Sequence, residues 1–289
     1  MKVAVVGAGR MGRAIVARLL DHDYPPTVLT RSPAARAAAA ASGWASADTI
    51  AQTVRDADVV ICAVFDDEQL RDAALGQGGL IASMAPGAVL VQHTTCDPAT
   101  LTLLADASRA RGVTVLDAAL SGNPRDIAAG RLTIWAAGDE ATLDRVRPLI
   151  DTYATPVMFV GPLGNGQRIK LVNNALFVAQ VALALDGVRL AAAVGIAERE
   201  FLEAVRHGSG ASRALGTVAW IGAGEVGARL AEFMIKDVDA VATVAARSGA
   251  ELGLLGDVLA SAVVRDQVLC GGTPPARDPR ASDGGALKN

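Results

Sequence analysis

With 289 residues, of which 51% are hydrophobic and 20% charged, the chain has length for two domains and composition for a substantial globular core. A formal net charge of −3, with lysines and arginines scattered along the sequence, excludes a nucleic-acid-binding stripe. Three cysteines without Cys-x-x-Cys spacing exclude a disulfide framework and fit a reducing, cytoplasmic setting, and three widely separated histidines offer no metal-ligand spacing.

Lys2-Val3-Ala4-Val5-Val6 is a β-branched run that begins almost at the N-terminus, and Arg10 interrupts its apolar character, so no signal peptide is expected. It ends at Gly7-Ala8-Gly9-Arg10-Met11-Gly12, after which helical spacing takes over. Strand, glycine turn and helix stand in the order of a dinucleotide fingerprint: Gly7 for the tight turn, Gly9 for pyrophosphate approach, Gly12 for helix packing. The amides at the helix N-terminus would meet the phosphates. The second strand, Thr27 to Thr30, runs into Arg31 and Ser32 about twenty residues further on, where NAD-binding folds place an acidic residue against the ribose diol. The guanidinium of Arg31 with the hydroxyls of Thr30 and Ser32 suits a 2′-phosphate instead, so NADP is the expected cofactor, with NAD possible.

Val59 to Val64 is wholly apolar, as in a parallel strand covered on both faces. Its carboxyl end should face the cofactor, placing Val64 against it, and Asp66 or Asp67 should cap the next helix. Val89 to Gln92 is the next strand, and Thr95 follows its carboxyl end, beside the expected nicotinamide. His93 is read as structural. Val113 to Leu120 delivers Ser121, Gly122 and Asn123, whose hydroxyl, amide and carboxamide can hydrogen-bond a carboxylate or carbonyl. Leu132 to Ala137, a helix from Glu140 to Ile150 and Pro156 to Val160 complete the sheet.

From Gly161 the chain changes character. Three glycines precede a helical pattern running to Val194, with Lys170, Asn173 and Asn174 near its start. Lys170 and Asn174 are four apart and share a helix face, where an ammonium on an apolar surface suits proton transfer if a cleft opens there. Ala175 to Leu185 lies between Asn174 and Asp186 and is too short to span a bilayer, so no membrane role is expected. The helix should end at Gly195, and its apolar circumference implies burial in a bundle or between subunits. Ile221-Gly222-Ala223-Gly224-Glu225-Val226-Gly227 mimics a second fingerprint, but helical spacing over Leu230 to Arg247 leaves no room for a second βαβ unit.

Together these features give an α/β protein: a Rossmann-type dinucleotide-binding domain over 1–162, an all-α domain over 163–268 for substrate and dimerisation, and a tail over 269–289 expected to be disordered. The residues resemble those of the β-hydroxyacid dehydrogenase family, which includes 3-hydroxyisobutyrate dehydrogenases and tartronate semialdehyde and glyoxylate/succinic semialdehyde reductases. The matches are Gly7-x-Gly9-x-Met11-Gly12, Thr30-Arg31-Ser32, Thr94-Thr95 with Pro98, Ser121-Gly122, Lys170 with Asn173-Asn174, Gly208-Ser209-Gly210 with Ser212, and Lys236-Asp237. The resemblance implies that Lys170 is the general acid/base and that Ser121 and Gly122 hold a small carboxylate-bearing substrate. It further implies that Asn174 orients the lysine or the substrate, that Thr95 and Lys236 approach the nicotinamide with Asp237 supporting Lys236, and that the protein is a homodimer or homotetramer. Asn123-Pro124-Arg125 departs from the family's small residues and leaves the substrate open; Gln92, where the family commonly has an acid, is a further departure. Imine reductases on this scaffold replace the helix lysine with aspartate or tyrosine, so Lys170 favours hydroxyacid chemistry. An imine reductase, or a cofactor-dependent binding or sensor protein without turnover, is the alternative.

Overall fold

The computed structural model describes residues 1–269, apart from the side chains of Phe233 and Lys236; the expected tail therefore lies, from Cys270 on, outside the described residues. The chain divides into two compact units, Met1–Leu171 and the residues from Val172 onward.

The first unit alternates strands and helices: β1 (Val3–Val6), α1 (Arg10–Leu20), β2 (Pro26–Leu29), α2 (Pro33–Ala41), β3 (Ala45–Ala47), α3 (Ile50–Val54), β4 (Val59–Cys62), α4 (Asp67–Leu75), α5 (Leu80–Ser83), β5 (Val89–Gln92), α6 (Pro98–Arg109), β6 (Thr114–Ser121), α7 (Pro124–Ala128), β7 (Leu132–Ala137), α8 (Glu140–Ile150) and β8 (Ala154–Phe159). The strands form one sheet in the order β3-β2-β1-β4-β5-β6-β7-β8. β1 to β6 pair in parallel, β7 is antiparallel to β6, and β8 is parallel to β7.

Both sheet faces are covered. Val3 and Val5 enter one core with Ile15, Leu19, Ile61, Val91 and Leu116, while Ala4 and Val6 enter the other with Val60, Leu70, Leu90, Leu101 and Leu104. This is why the strands read as unbroken apolar runs rather than as alternating ones. Helix starts are written locally: Ser32, Asp66, Asp97 and Asp139 each accept a backbone N–H of the first turn, and Pro33 and Pro98 occupy opening positions.

α9 (Asn165–Ala193) begins in the first unit and continues through the second, where α10 (Glu198–Val205), α11 (Arg213–Ile221), α12 (Val226–Arg247) and α13 (Gly253–Leu259) follow, then a π-helical turn over Val264–Leu269. α10 packs on α11, and α12 on the π-helical turn. Gly195, with φ of 86°, stops the chain just beyond α9, a left-handed conformation that favours glycine. The fingerprint-like Ile221 to Gly227 bridges the end of α11 and the start of α12, with no strand before it. By length and composition α9 would pass for a membrane span; Ala175, Val178, Val181, Ala182 and Leu185 are nonetheless buried within the protein, as in a core helix.

Candidate active site

The glycine turn divides its roles by geometry. Gly7 has φ of 105°, and a Cβ there would lie 2.3 Å from the Ala63 carbonyl oxygen. A Cβ on Gly12 would lie 1.8 Å from the Gly7 carbonyl oxygen, so α1 can sit on the turn only without a side chain at this position. A Cβ on Gly9 would meet nothing within 4 Å. Gly9 is thus the open face of the turn, and as N-cap of α1 it supplies no side-chain cap, which leaves the first-turn amides for an anion.

A cleft of about 260 Å³ opens here, lined by Val6, Gly7, Ala8, Leu29, Arg31 and Val64, with Gln69, Asp72 and Ala73 as its far wall. Gly7, Ala8, Arg31 and Val64 of the predicted site therefore meet around one cavity. Arg10 is exposed and Met11 half-buried in the first turn of α1, which adjoins it. The wall from α4 is absent from the sequence expectation, although a helix following a strand that points at a cofactor was a signal for it. Of Thr30-Arg31-Ser32, Thr30 is buried and its hydroxyl donates to the Ala47 carbonyl at 3.4 Å, while the Ser32 hydroxyl accepts the Ala35 N–H at 3.1 Å. Arg31 is the one of the three that lines the cleft. These residues fit a dinucleotide: an open glycine before uncapped amides, and a guanidinium where the second strand ends.

At the carboxyl ends of β4, β5 and β6 the groups are tied together. The Val64 N–H donates to the Thr94 hydroxyl at 3.0 Å, and Gln92 and Gln167 each donate a side-chain N–H to the Thr94 carbonyl, at 3.0 and 3.1 Å. Thr95, half-buried, follows. Ser121 ends β6, and Gly122 turns the chain with φ of 141°. Asn123 then caps α7: its side-chain oxygen accepts the Arg125 N–H at 2.8 Å, and its own N–H donates to Asp126 at 2.9 Å. Both the carboxamide oxygen and the amide of Asn123 are thus engaged within the loop. Lys170 is half-buried in the second turn of α9. Residues that sequence reasoning did not single out, Asp117 and Gln167, lie fully buried among these groups; an acid inside an apolar strand was the available signal.

His93 is structural by its bonds. Nδ1 faces the Ala118 carbonyl at 2.6 Å, an acceptor, so it carries the proton, and Nε2 accepts from the Tyr153 hydroxyl at 2.9 Å. Burial pushes its pKa down to about 4 from 6.5. A depressed histidine contributes stability that is present above pH 6.5 and lost as pH falls toward 4, about 3 kcal/mol over that window. Burial raises Asp117 to about 6, so its cost at neutral pH is relieved between pH 6 and 3.8 and opposes the histidine in sign. His93→Gln is expected to be destabilised at neutral pH, with its deficit against the parent shrinking by about 3 kcal/mol toward pH 4 in denaturant titrations. A deficit independent of pH would show that the imidazole is not held neutral.

In the second unit Asn174 donates its side-chain N–H to Asp237, which is nearly buried, and accepts from Asn173 at 3.1 Å. Lys236, expected near the nicotinamide, has its side chain outside the described residues. No group of three His, Cys, Asp or Glu side chains able to hold a metal occurs among the described residues.

Comparison with known proteins matches two families in tandem. Residues 2–161 match the NAD binding domain of 6-phosphogluconate dehydrogenase, and residues 164–266 the NAD-binding domain of NADP-dependent 3-hydroxyisobutyrate dehydrogenase. An NAD-dependent L-serine dehydrogenase of Pseudomonas aeruginosa is 31% identical over 214 residues, 74% of this chain and 72% of that one. A 3-hydroxyisobutyrate dehydrogenase structure from Salmonella typhimurium superposes with a TM-score of 0.78 at 26% identity, over 90% of this chain and 92% of that one. An imine reductase of Streptomyces aurantiacus shares the fold, with a TM-score of 0.67 at 23% identity over 90% and 92% of the two chains.

Proposed function

The chain belongs to the β-hydroxyacid dehydrogenase family of nicotinamide-dependent oxidoreductases, and we propose that it interconverts a short β-hydroxyacid and its semialdehyde with a preference for NADP. Lys170 carries the assignment, because it stands on α9 in the same compact unit as the dinucleotide cleft. When bound, the dinucleotide would supply the hydride for reduction or accept it in oxidation. During reduction the Lys170 ammonium gives a proton to the carbonyl oxygen; in oxidation its amine takes the hydroxyl proton. The Ser121 hydroxyl and the Gly122 amide hold the carboxylate, which orients the reacting carbon. Turnover of a panel of semialdehydes with NADPH tests this; binding of NADPH with no turnover would instead favour a sensor protein.

The cofactor preference comes from Arg31 at the cleft and from the absence of a carboxylate among residues 30–32. Arg31→Asp is expected to lower the ratio of kcat/KM for NADPH over NADH by tenfold or more, about 1.4 kcal/mol of lost charge-assisted bonding. An unchanged ratio would remove the case for NADP.

A second reading, imine reduction, is favoured by one observation: the Asn123 amide is already bonded to Asp126, so the loop offers a substrate carboxylate one donor fewer. Turnover of cyclic imines and of no semialdehyde would select it. We also assign a second copy of the chain to α9, whose exposed Val172, Leu176, Leu183 and Leu190 recur at spacings that fall on one helix face. A cytoplasmic homodimer or homotetramer acting on a small molecule is the resulting picture.

A further inference from the structure

Asp117 sits in β6, fully buried, four residues before Ser121 and on the same face of the strand. A carboxylate in such a place is costly unless every oxygen is bonded. Its Oδ2 accepts the Gln167 backbone N–H at 3.1 Å, and its Oδ1 accepts the Gln167 side-chain N–H at 3.2 Å. The backbone amides of Gly164 and Gly166 also favour its charged form, against the burial that opposes it. These are the donors that the start of α9 leaves without helical partners, and the carboxylate also faces the positive end of a 29-residue helix.

Gln167 passes the connection on. Its side-chain oxygen accepts the Cys96 N–H at 3.0 Å and its side-chain nitrogen also reaches the Thr94 carbonyl at 3.1 Å, while the Thr94 hydroxyl accepts from Val64 at the cleft. The fit has no slack, since a Cβ on Gly166 would lie 2.6 Å from the Trp135 carbonyl and 2.9 Å from the Asp117 carboxylate. One chain of bonds therefore links the cofactor wall, the Thr94-Thr95 loop, the substrate strand β6 and the first turn of α9. Lys170 is three residues beyond Gln167 on that helix.

We propose that Asp117 is the positioning residue for Lys170: through Gln167 and the first-turn amides it pins the start of α9 to the carboxyl ends of β5 and β6, and so sets where the lysine amine stands relative to Thr95 and Ser121. This rests on the acid/base role of Lys170. Charge, and not volume alone, is what the site uses. An asparagine of equal size would turn one donor toward the Gln167 donors and would carry no charge toward the helix end.

The test is a double-mutant cycle on the full-length protein with NADPH and the best semialdehyde of the panel. Asp117→Asn is expected to lower kcat by tenfold or more, with KM and the NADPH dissociation constant within about threefold, because a small misplacement of a reacting group is felt in the transition state. Placed in Lys170→Ala it should cost no further rate, since both changes remove one contribution. An equal loss in both backgrounds, or a parental kcat in Asp117→Asn alone, would overturn the inference and leave the function standing. Full activity of Lys170→Ala would overturn both. If Asp117→Asn does not fold, Gln167→Met, which keeps the backbone bond, decides on the same criterion with an expected loss of about threefold or more in kcat alone.

Discussion

Lys170→Ala is expected to lower kcat for carbonyl reduction by about 10²- to 10⁴-fold, the range over which a positioned proton donor acts. Reduction places negative charge on the carbonyl oxygen, and without a positioned donor that charge must be neutralised by water. The NADPH dissociation constant should stay within about twofold, because the dinucleotide cleft is built from β1 and its glycine turn, the end of β2, Val64 after β4, and α4, and does not include the lysine. Steady-state rates with stopped-flow hydride transfer, alongside a fluorescence titration of NADPH, separate the two. An undiminished rate would remove Lys170 from the chemistry. Equal loss of rate and cofactor affinity would mean that the substitution had disturbed the first unit as a whole.

Gly12→Ala should be the most damaging single methyl in the cofactor site. The added carbon would stand 1.8 Å from the Gly7 carbonyl oxygen, so α1 must move off the turn or the turn must open. Overpacking of this kind costs about 1–3 kcal/mol, and it displaces the first-turn amides that meet the phosphates. The expected result is a lower Tm together with a loss of NADPH affinity of about 100-fold. Gly9→Ala is the contrast. Nothing lies within 4 Å of its Cβ, so Tm should be unchanged, but the methyl occupies the face that the pyrophosphate approaches, and affinity should fall by about tenfold. Parental affinity and Tm in Gly12→Ala would refute the division of roles among the three glycines.

Legibility from sequence follows the range of the interactions that build each element. β1, its glycine turn and α1 lie within twenty residues and are held by bonds and contacts among near neighbours, so spacing alone identifies them. β4 and β5 are recognised because both their faces are buried, and α9 because it is long and ends at a glycine. β3, Ala45–Ala47, passes unnoticed: it is three residues long, has no β-branched residue and lies at the sheet edge. α7 is equally hidden, since the Asn123 and Asp126 capping box that creates it reads at first as a loop able to bind substrate. The cofactor's second-strand triplet is legible as a composition, but the fate of each side chain is not. Thr30 turns inward to a carbonyl and Ser32 caps α2, which leaves Arg31.

The sequence by itself determined the cofactor class as a nicotinamide dinucleotide and the order of the longer strands and helices, because glycine conformation, apolar period and helix spacing are local properties of the chain. Only the tertiary structure decided what stands behind the lysine. Asp117 and Gln167 are 50 residues apart, and His93 and Tyr153 are 60 apart. No spacing predicts that a buried acid will find the start of a helix or that a histidine will be buried against a tyrosine. Those pairings arise when the sheet brings distant strand ends together and excludes water, and each buried polar group must then bond to whatever neighbour the fold has placed beside it.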